Sequence, residues 1–145
     1  MKKYLLLSSL LLASILLMAQ KPIAKFEKHT HDFGSIQETN GKTSYNFEFK
    51  NIGKKDFLIT EVKSSCGCTA PKWSKKPIPP GGTGSILVSY DPKNRPGPFT
   101  KTITISNNSE ESKLLLYIKG DVIPDPKKVK KHLENKVKKQ SKGEK

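Results

Sequence analysis

The sequence predicts an antiparallel all-β sandwich of about seven strands, preceded by a signal peptide and followed by a basic tail. Three observations support this prediction. Short segments alternate apolar and polar residues, which is the period of a strand that buries one face. Clusters of Gly, Pro and Asn separate these segments at regular intervals. Residues 21–123 are about the size of one small domain, which can bury a core between two sheets.

The first element is a signal peptide, predicted over residues 1–20. Lys2 and Lys3 begin it, an apolar run follows from Tyr4 to Met18, and the small residue Ala19 precedes polar sequence. A charged n-region, an apolar h-region and a small residue at the cut are typical of secretory signals. The run is shorter than the roughly 20 apolar residues that span a bilayer. We therefore expect a periplasmic or secreted protein that does not span the membrane after signal cleavage.

The strands of the domain follow in chain order. Alternation marks six segments: IAKFEKHTHDFG, TSYNFEFKN, DFLITEV, SILVSYD, TKTITIS and KLLLYIKG. In the clearest of them, Tyr45, Phe47 and Phe49 fall on one face, and Asn46 and Glu48 fall on the other. Turn sequences such as PIPPGGTG and DPKNRPGP lie between the segments. Because no segment of the domain shows a convincing helical period, we expect it to be all β.

The last element is a lysine-rich tail, residues 124–145. It carries nine lysines and so holds much of the formal net charge of +14. Val129, Leu133 and Val137 recur at four-residue spacing. This apolar stripe is too thin to stabilise an isolated helix. We therefore expect a solvated tail that is disordered or transiently helical.

A sharper hypothesis gives the tail a binding role. Clustered lysines attract anionic partners over long range and in a salt-sensitive way. The predicted partner is a cell-envelope protein or an anionic envelope surface. The predicted contact residues are Lys127, Lys128, Lys130, Lys131, Lys136, Lys138 and Lys139. Nucleic acid is disfavoured, because an exported protein rarely meets it and the lysines lack interleaved aromatic residues for base stacking.

A series of motifs resembles a known family. In order they are HDFGSI, FEFKNIG, LITEVKSSCGCTAPKW, IPPGGTGSILVSYD, RPGPFTKTITISNN and LLLYIKGDV. Together they resemble the bacterial domain family of unknown function 1573, over residues 26–122. The resemblance implies an immunoglobulin-like β-sandwich of the ASH type in an exported protein. It implies no established activity, and the lysine-rich tail is not part of the family pattern.

Both cysteines of the chain lie in the stretch SSCGCT, where Gly67 separates Cys66 from Cys68. The first hypothesis is a disulfide, which an oxidising compartment favours. Cα atoms two residues apart on a strand stand about 6.5–7 Å apart, at the upper limit for a bridge, and glycine lets the chain bend more sharply. Such a bridge closes too short a loop to add much stability and is easily reduced. It would contribute little to stability but is a candidate redox couple.

The second hypothesis is a soft-metal site for copper or zinc. Cys66 and Cys68 would supply thiolates, and His31 or His29 would complete the ligand set. The two histidines share one face of their strand by its period of two. A C-x-C pair without a second cysteine pair is a weak metal signature. The third hypothesis is structural: the cysteines act as small hydrophobic residues at a bend before Trp73.

Catalysis is disfavoured by what the sequence lacks. His31 and Asp32 are adjacent, which makes an ordered relay to a cysteine awkward. No pair of carboxylates stands out, and no glycine-rich loop joins a strand to a helix. We therefore predict a non-enzymatic exported binding or structural module without a cofactor, which recognises its partner through exposed strand edges or loops. The alternative is a periplasmic protein that handles copper, zinc or thiols through Cys66 and Cys68.

Overall fold

Two four-stranded β-sheets pack face to face in the computed structural model, which describes residues 20–143. The predicted signal peptide therefore lies outside the described residues, apart from Gln20. The elements, in chain order, are β1 (Ala24–Phe26), β2 (Thr30–Gln37), β3 (Thr43–Asn51), β4 (Ile59–Ser64), β5 (Thr69–Trp73), β6 (Thr83–Tyr90), β7 (Gly97–Asn107), β8 (Lys113–Ile123) and α1 (Pro126–Gly143). A single 3-10 turn, Glu38–Asn40, joins β2 to β3.

The strand order fixes which segments meet at the edges. Sheet 1 has the order β1-β3-β6-β5, and sheet 2 has the order β2-β8-β7-β4. Strand β2 runs parallel to β8, and the other strand pairs are antiparallel. The chain passes from β4 in sheet 2 to β5 in sheet 1, and these two edge strands contact each other. The cysteine segment is this crossing.

The core lies between the inner faces of the sheets, where alternate residues of the central strands β3, β6, β7 and β8 are buried. Phe47 and Phe49 of β3 are almost fully buried, and Tyr45 is half-buried, so the face predicted for this strand is confirmed. The all-β sandwich is confirmed as well. The fully buried side chains include Phe57, Ile86, Val88, Tyr90, Ile103, Ile105, Leu116, Ile118 and Val122.

Three details of the strands differ from the prediction. The segment IAKFEKHTHDFG forms two strands, because the chain leaves sheet 1 after Phe26 and enters sheet 2 at Thr30. As a result β2 lies parallel to β8, so sheet 2 is mixed. The sequence predicts a bend and a loop before Trp73, whereas the structure has strand β5 there with Pro71 in its middle. Proline is tolerated there because β5 is an edge strand, where a missing N–H removes no bond from a central ladder.

The tail forms a helix in the structure, where the sequence predicts a disordered or transiently helical segment. Asp125 begins it: its carboxylate accepts a hydrogen bond from the Lys127 N–H at 2.9 Å. Pro126 follows at the first helical position, where its missing N–H removes no bond. The side chains of residues 126–140 are all exposed. No helix within residues 20–143 is long and apolar enough to cross a membrane.

Candidate functional site

The cysteine segment forms a closed loop at one edge of the sandwich. Cys66 and Cys68 are joined by a disulfide, and their Cα atoms are 5.3 Å apart. This separation is shorter than on an extended strand because the chain turns at Gly67. The turn does not use the left-handed conformation of glycine, since Gly67 has no positive φ and a Cβ there would meet nothing within 4 Å. The chain therefore bends at Gly67 as predicted, but without a positive φ, the conformation that favours glycine.

Hydrogen bonds hold the first half of the loop independently of the disulfide. The Ser65 N–H donates to the Thr102 carbonyl at 2.9 Å, and the Thr102 N–H donates to the Ser65 hydroxyl at 3.1 Å. The Ser64 hydroxyl lies 2.8 Å from the carbonyl oxygens of both Cys66 and Thr69. Its single hydrogen can serve only one of them at a time. The backbone before the disulfide is thus tied to β7 and to the start of β5.

The second half of the loop is held in the same way. The Thr69 N–H donates to the Cys66 carbonyl at 3.3 Å, and the Asp91 N–H donates to the Cys68 carbonyl at 2.9 Å. The last of these bonds ties the loop to the end of β6. The positions of both cysteines are therefore set by backbone and hydroxyl groups around them.

The two sulfur atoms have different surroundings. The side chain of Cys66 is half-buried, whereas Cys68 is only 9% exposed and belongs to the core cluster. The Thr69 hydroxyl, itself buried, lies 3.5 Å from Cys66 Sγ and 4.0 Å from Cys68 Sγ. Because a disulfide sulfur carries no hydrogen, the hydroxyl is the donor in both contacts. Cys66 is thus the more exposed of the two cysteines, and the Thr69 hydroxyl lies within reach of both sulfurs.

The predicted histidine ligands lie elsewhere. The ring of His31, on β2, stacks on Tyr45 with centroids 3.6 Å apart. Burial lowers the pKa of His31 below its ordinary value of 6.5, and Lys28 lowers it further, against an opposing effect of Asp32. His29 is exposed and contacts the ring of Phe26.

The structure does not bring these histidines to the cysteines. Strand β2 and strand β4 are opposite edges of sheet 2, so three strand spacings, or about 14 Å, separate His31 from the end of β4, beyond which Cys66 lies. Within residues 20–143, no group of three or more His, Cys, Asp or Glu side chains could hold a metal ion. A copper or zinc site on the two thiols of the reduced protein stays a prediction.

The helix α1 places its apolar and basic side chains on different faces. Val129, Leu133 and Val137 are 42%, 57% and 65% exposed and form one stripe. At 3.6 residues per turn, Lys130 and Lys136 flank the centre of this stripe at about 60° on either side. The remaining predicted lysines lie farther around the helix: Lys127, Lys128, Lys131, Lys138 and Lys139.

A buried carboxylate ties the start of α1 to the sandwich. Glu38 is 8% exposed and accepts hydrogen bonds from the N–H groups of Asn94 at 2.7 Å and Asp125 at 3.0 Å, and from the Lys128 ammonium. The Lys128 hydrogen bond, followed by the two backbone N–H groups, lowers the pKa of Glu38 from 4.5 to about 2. The sequence does not mark Glu38 as a site residue, because it lies among ordinary turn residues in the stretch QETNGKT and belongs to no motif.

The family assignment follows from the match of the whole sandwich. The family model DUF1573, a protein of unknown function, matches residues 24–122. The chain belongs to the DUF1573 family. The matched residues end one residue before the end of β8, so α1 lies outside the family match. A search of curated proteins finds no match.

Solved structures share the fold of this DUF1573 domain. A protein of unknown function from Porphyromonas gingivalis W83 is 17% identical with a TM-score of 0.62, covering 71% of this chain and 48% of that chain. The VesB protease of Vibrio cholerae is 14% identical with a TM-score of 0.56, covering 75% of this chain and 34% of that chain. The secreted serine protease VesC of Vibrio cholerae is 14% identical with a TM-score of 0.52, covering 72% and 24%. This chain thus matches less than half the length of each, and identities this low show the fold alone.

Proposed function

We propose that this DUF1573 protein is a non-enzymatic, exported binding module of the cell envelope, and that α1 is its contact with an anionic lipid surface. The observation that carries the proposal is the arrangement of α1: an exposed apolar stripe flanked by Lys130 and Lys136. A helix with a basic polar face and a narrow apolar face lies in the plane of a lipid interface. The predicted export signal supports an envelope location.

The apolar stripe favours a lipid surface over a soluble polyanion. A soluble polyanion would bind the lysines but would not cover the apolar stripe. Val129, Leu133 and Val137, each more than a third exposed, would stay in contact with water. At a lipid interface the same side chains enter the acyl boundary, and each flanking lysine contributes about 1 kcal/mol from the anionic headgroups. Both features of the helix are then used.

The edge strands are less suited to binding another chain than the sequence predicts. Strand β5 has five residues and contains Pro71, and β4 carries the exposed charges Glu61 and Lys63. Strand β2 has a register shift between Asp32 and Ser35. Short strands, proline, exposed charge and irregular register are the usual devices that prevent edge pairing. These features direct the proposal to the helix.

The contact at Glu38 supports a defined orientation of the helix. Glu38 holds the N–H of Asp125 and the ammonium of Lys128 at the first turn of α1. A helix that is tied at one end would hold the sandwich close to the surface that it binds. The positive charge of Lys128 is paired with the Glu38 carboxylate, so the flanking lysines and those beyond the first turn provide the attraction.

Vesicle sedimentation tests the proposal with charge-matched variants of the full chain. The double variant Lys130→Gln/Lys136→Gln removes the lysines that flank the stripe, and Lys131→Gln/Lys139→Gln removes the same charge from the far side. Vesicles of phosphatidylglycerol and phosphatidylcholine are compared with phosphatidylcholine alone. We expect the flanking variant to bind anionic vesicles about 30-fold more weakly, from about 1 kcal/mol per lysine. The far-side variant should lose only a few-fold by the same reasoning.

The stripe is tested separately by Leu133→Ser, which keeps every charge. This variant should weaken binding to anionic vesicles, because it removes the central apolar side chain from the interface. Equal losses in the two lysine variants together with no effect of Leu133→Ser would contradict a lipid contact and favour a soluble polyanion. Absence of binding by the unmodified protein would overturn the proposal entirely.

A further inference from the structure

We infer that the Cys66–Cys68 disulfide is a reversible thiol–disulfide exchange site, which accepts two electrons from a dithiol. This inference is independent of the proposed lipid contact, because the loop lies between β4 and β5 whereas α1 follows β8. Three observations carry it: hydrogen bonds that do not involve sulfur tie the loop to its neighbours, the closed ring is very small, and the two cysteines differ in exposure.

The hydrogen-bonded frame makes the disulfide dispensable for the shape of the loop. Ser65 is tied to Thr102, and the carbonyls of Cys66 and Cys68 accept N–H groups from Thr69 and Asp91. None of these bonds involves sulfur, so reduction leaves them in place. The two thiols of the reduced protein therefore remain neighbours, which gives them the high effective concentration that rapid reoxidation needs.

The small size of the ring argues against a stabilising role for the disulfide. The two cysteines are separated by 2 positions, so the disulfide closes a loop of three residues. A cross-link stabilises a protein mainly by restricting the unfolded chain, and this effect falls as the closed loop shortens. The bridge restricts only a few residues of the unfolded chain, and hydrogen bonds already hold the same backbone in the folded state. The bridge therefore adds little to the free energy of unfolding.

The exposure of the sulfurs assigns their roles. Cys66 is half-buried and packs at the margin of the core, whereas Cys68 is 9% exposed. An incoming thiolate can therefore approach Cys66 Sγ more readily than Cys68 Sγ. Attack on Cys66 forms a mixed disulfide there and breaks the bond to Cys68, which leaves as a thiolate. The buried Thr69 hydroxyl lies 3.5 Å from Cys66 Sγ and 4.0 Å from Cys68 Sγ, so once the bridge opens it can donate its hydrogen bond to the Cys68 thiolate.

A dithiol donor completes the exchange. Its second thiolate attacks its own sulfur in the mixed disulfide and expels Cys66 as a thiolate, so the donor leaves as a disulfide. The two protons released by the donor thiols are taken up by Cys66 and Cys68. Two electrons and two protons have then moved from the donor to the protein, and no other reactant is required.

Reduction of the folded protein is the first test. The full chain is incubated with dithiothreitol without denaturant and followed by intact mass, free-thiol content and near-ultraviolet circular dichroism. We expect a gain of two hydrogens with the folded spectrum retained, and the reverse change on adding oxidised dithiothreitol. A disulfide that is reduced only in denaturant, or a spectrum that is lost on reduction, would overturn the inference.

Single-cysteine variants test which sulfur is attacked. Cys68→Ser leaves the thiol of Cys66, and Cys66→Ser leaves the thiol of Cys68. With oxidised glutathione as the probe, we expect the Cys66 thiol to form a mixed disulfide at least about tenfold faster, because thiol reactivity follows exposure. Equal rates, or a faster reaction of Cys68, would overturn the assigned order of attack.

The Thr69 contact gives a third readout. Thr69→Val removes the hydroxyl and keeps the branched shape, so the oxidised protein should retain its folded spectrum. We expect slower reduction by dithiothreitol across the pH range, because the leaving thiolate loses its donor. An unchanged rate would contradict a role for Thr69 in the exchange.

Discussion

Reduction of the Cys66–Cys68 bridge should lower stability only slightly. The bridge closes a loop of three residues. For three residues, the chain-entropy relation gives a loss of about 5.4 cal/mol/K, or about 1.6 kcal/mol at 25 °C. A 15-residue loop would give about 3 kcal/mol by the same relation. Since domains of this size are stable by about 5–15 kcal/mol, the reduced protein should stay folded.

Urea unfolding at 25 °C, with and without dithiothreitol, measures this difference directly. The transition midpoint should fall while the slope changes little, because the same surface is exposed on unfolding. Ser64→Ala tests the hydrogen bonds that hold the loop, because it removes the hydroxyl that lies 2.8 Å from two loop carbonyls. It should cost about 1 kcal/mol in the oxidised protein and more in the reduced one. A loss on reduction above about 3 kcal/mol would refute the argument that hydrogen bonds hold the loop.

Four further substitutions test the packing and the buried polar contacts of the sandwich. Asn51→Ala should lower the free energy of unfolding by about 3–4 kcal/mol in urea titrations, because the buried amide serves two carbonyls and two N–H groups of neighbouring loops. Glu38 has a pKa depressed from 4.5 to about 2, so its stabilising effect is present above pH 4.5 and lost as the pH falls toward 2. Glu38→Gln should therefore flatten the pH dependence of the urea midpoint across that window. Gly84→Ala should cost about 1–3 kcal/mol, since its Cβ would lie 2.5 Å from the Phe49 ring, whereas Gly67→Ala, with open space, should change the urea midpoint little.

The sandwich could be predicted because its strands carry local signals. In β3, the alternation that places Phe47 and Phe49 on one face needs no knowledge of other strands. Strand β5 could not be predicted, because Pro71 is acceptable only at a sheet edge, and the edge is a property of the completed sheet. The break between β1 and β2 also depends on the completed fold. The chain changes sheets within a polar stretch, and no local signal marks the change.

The candidate sites depend on distances that the sequence does not contain. The spacing of Cys66 and Cys68 is enough to suggest a disulfide. Their distance from His31 depends on the strand order, which places β2 and β4 at opposite edges of sheet 2. Glu38 and Lys128 are 90 positions apart, and no motif links them. The stripe on α1 was visible in the sequence, whereas its tie to the sandwich required the structure.

The orientation of α1 at a lipid surface tests the proposed function most directly. Leu133→Cys lies in the centre of the stripe and Lys131→Cys on the far side, and each is labelled with an environment-sensitive fluorophore under non-reducing conditions. On anionic vesicles we predict a blue shift at position 133 and little change at position 131, because only the stripe enters the acyl boundary. Equal shifts at both positions, or none at position 133, would contradict the proposal.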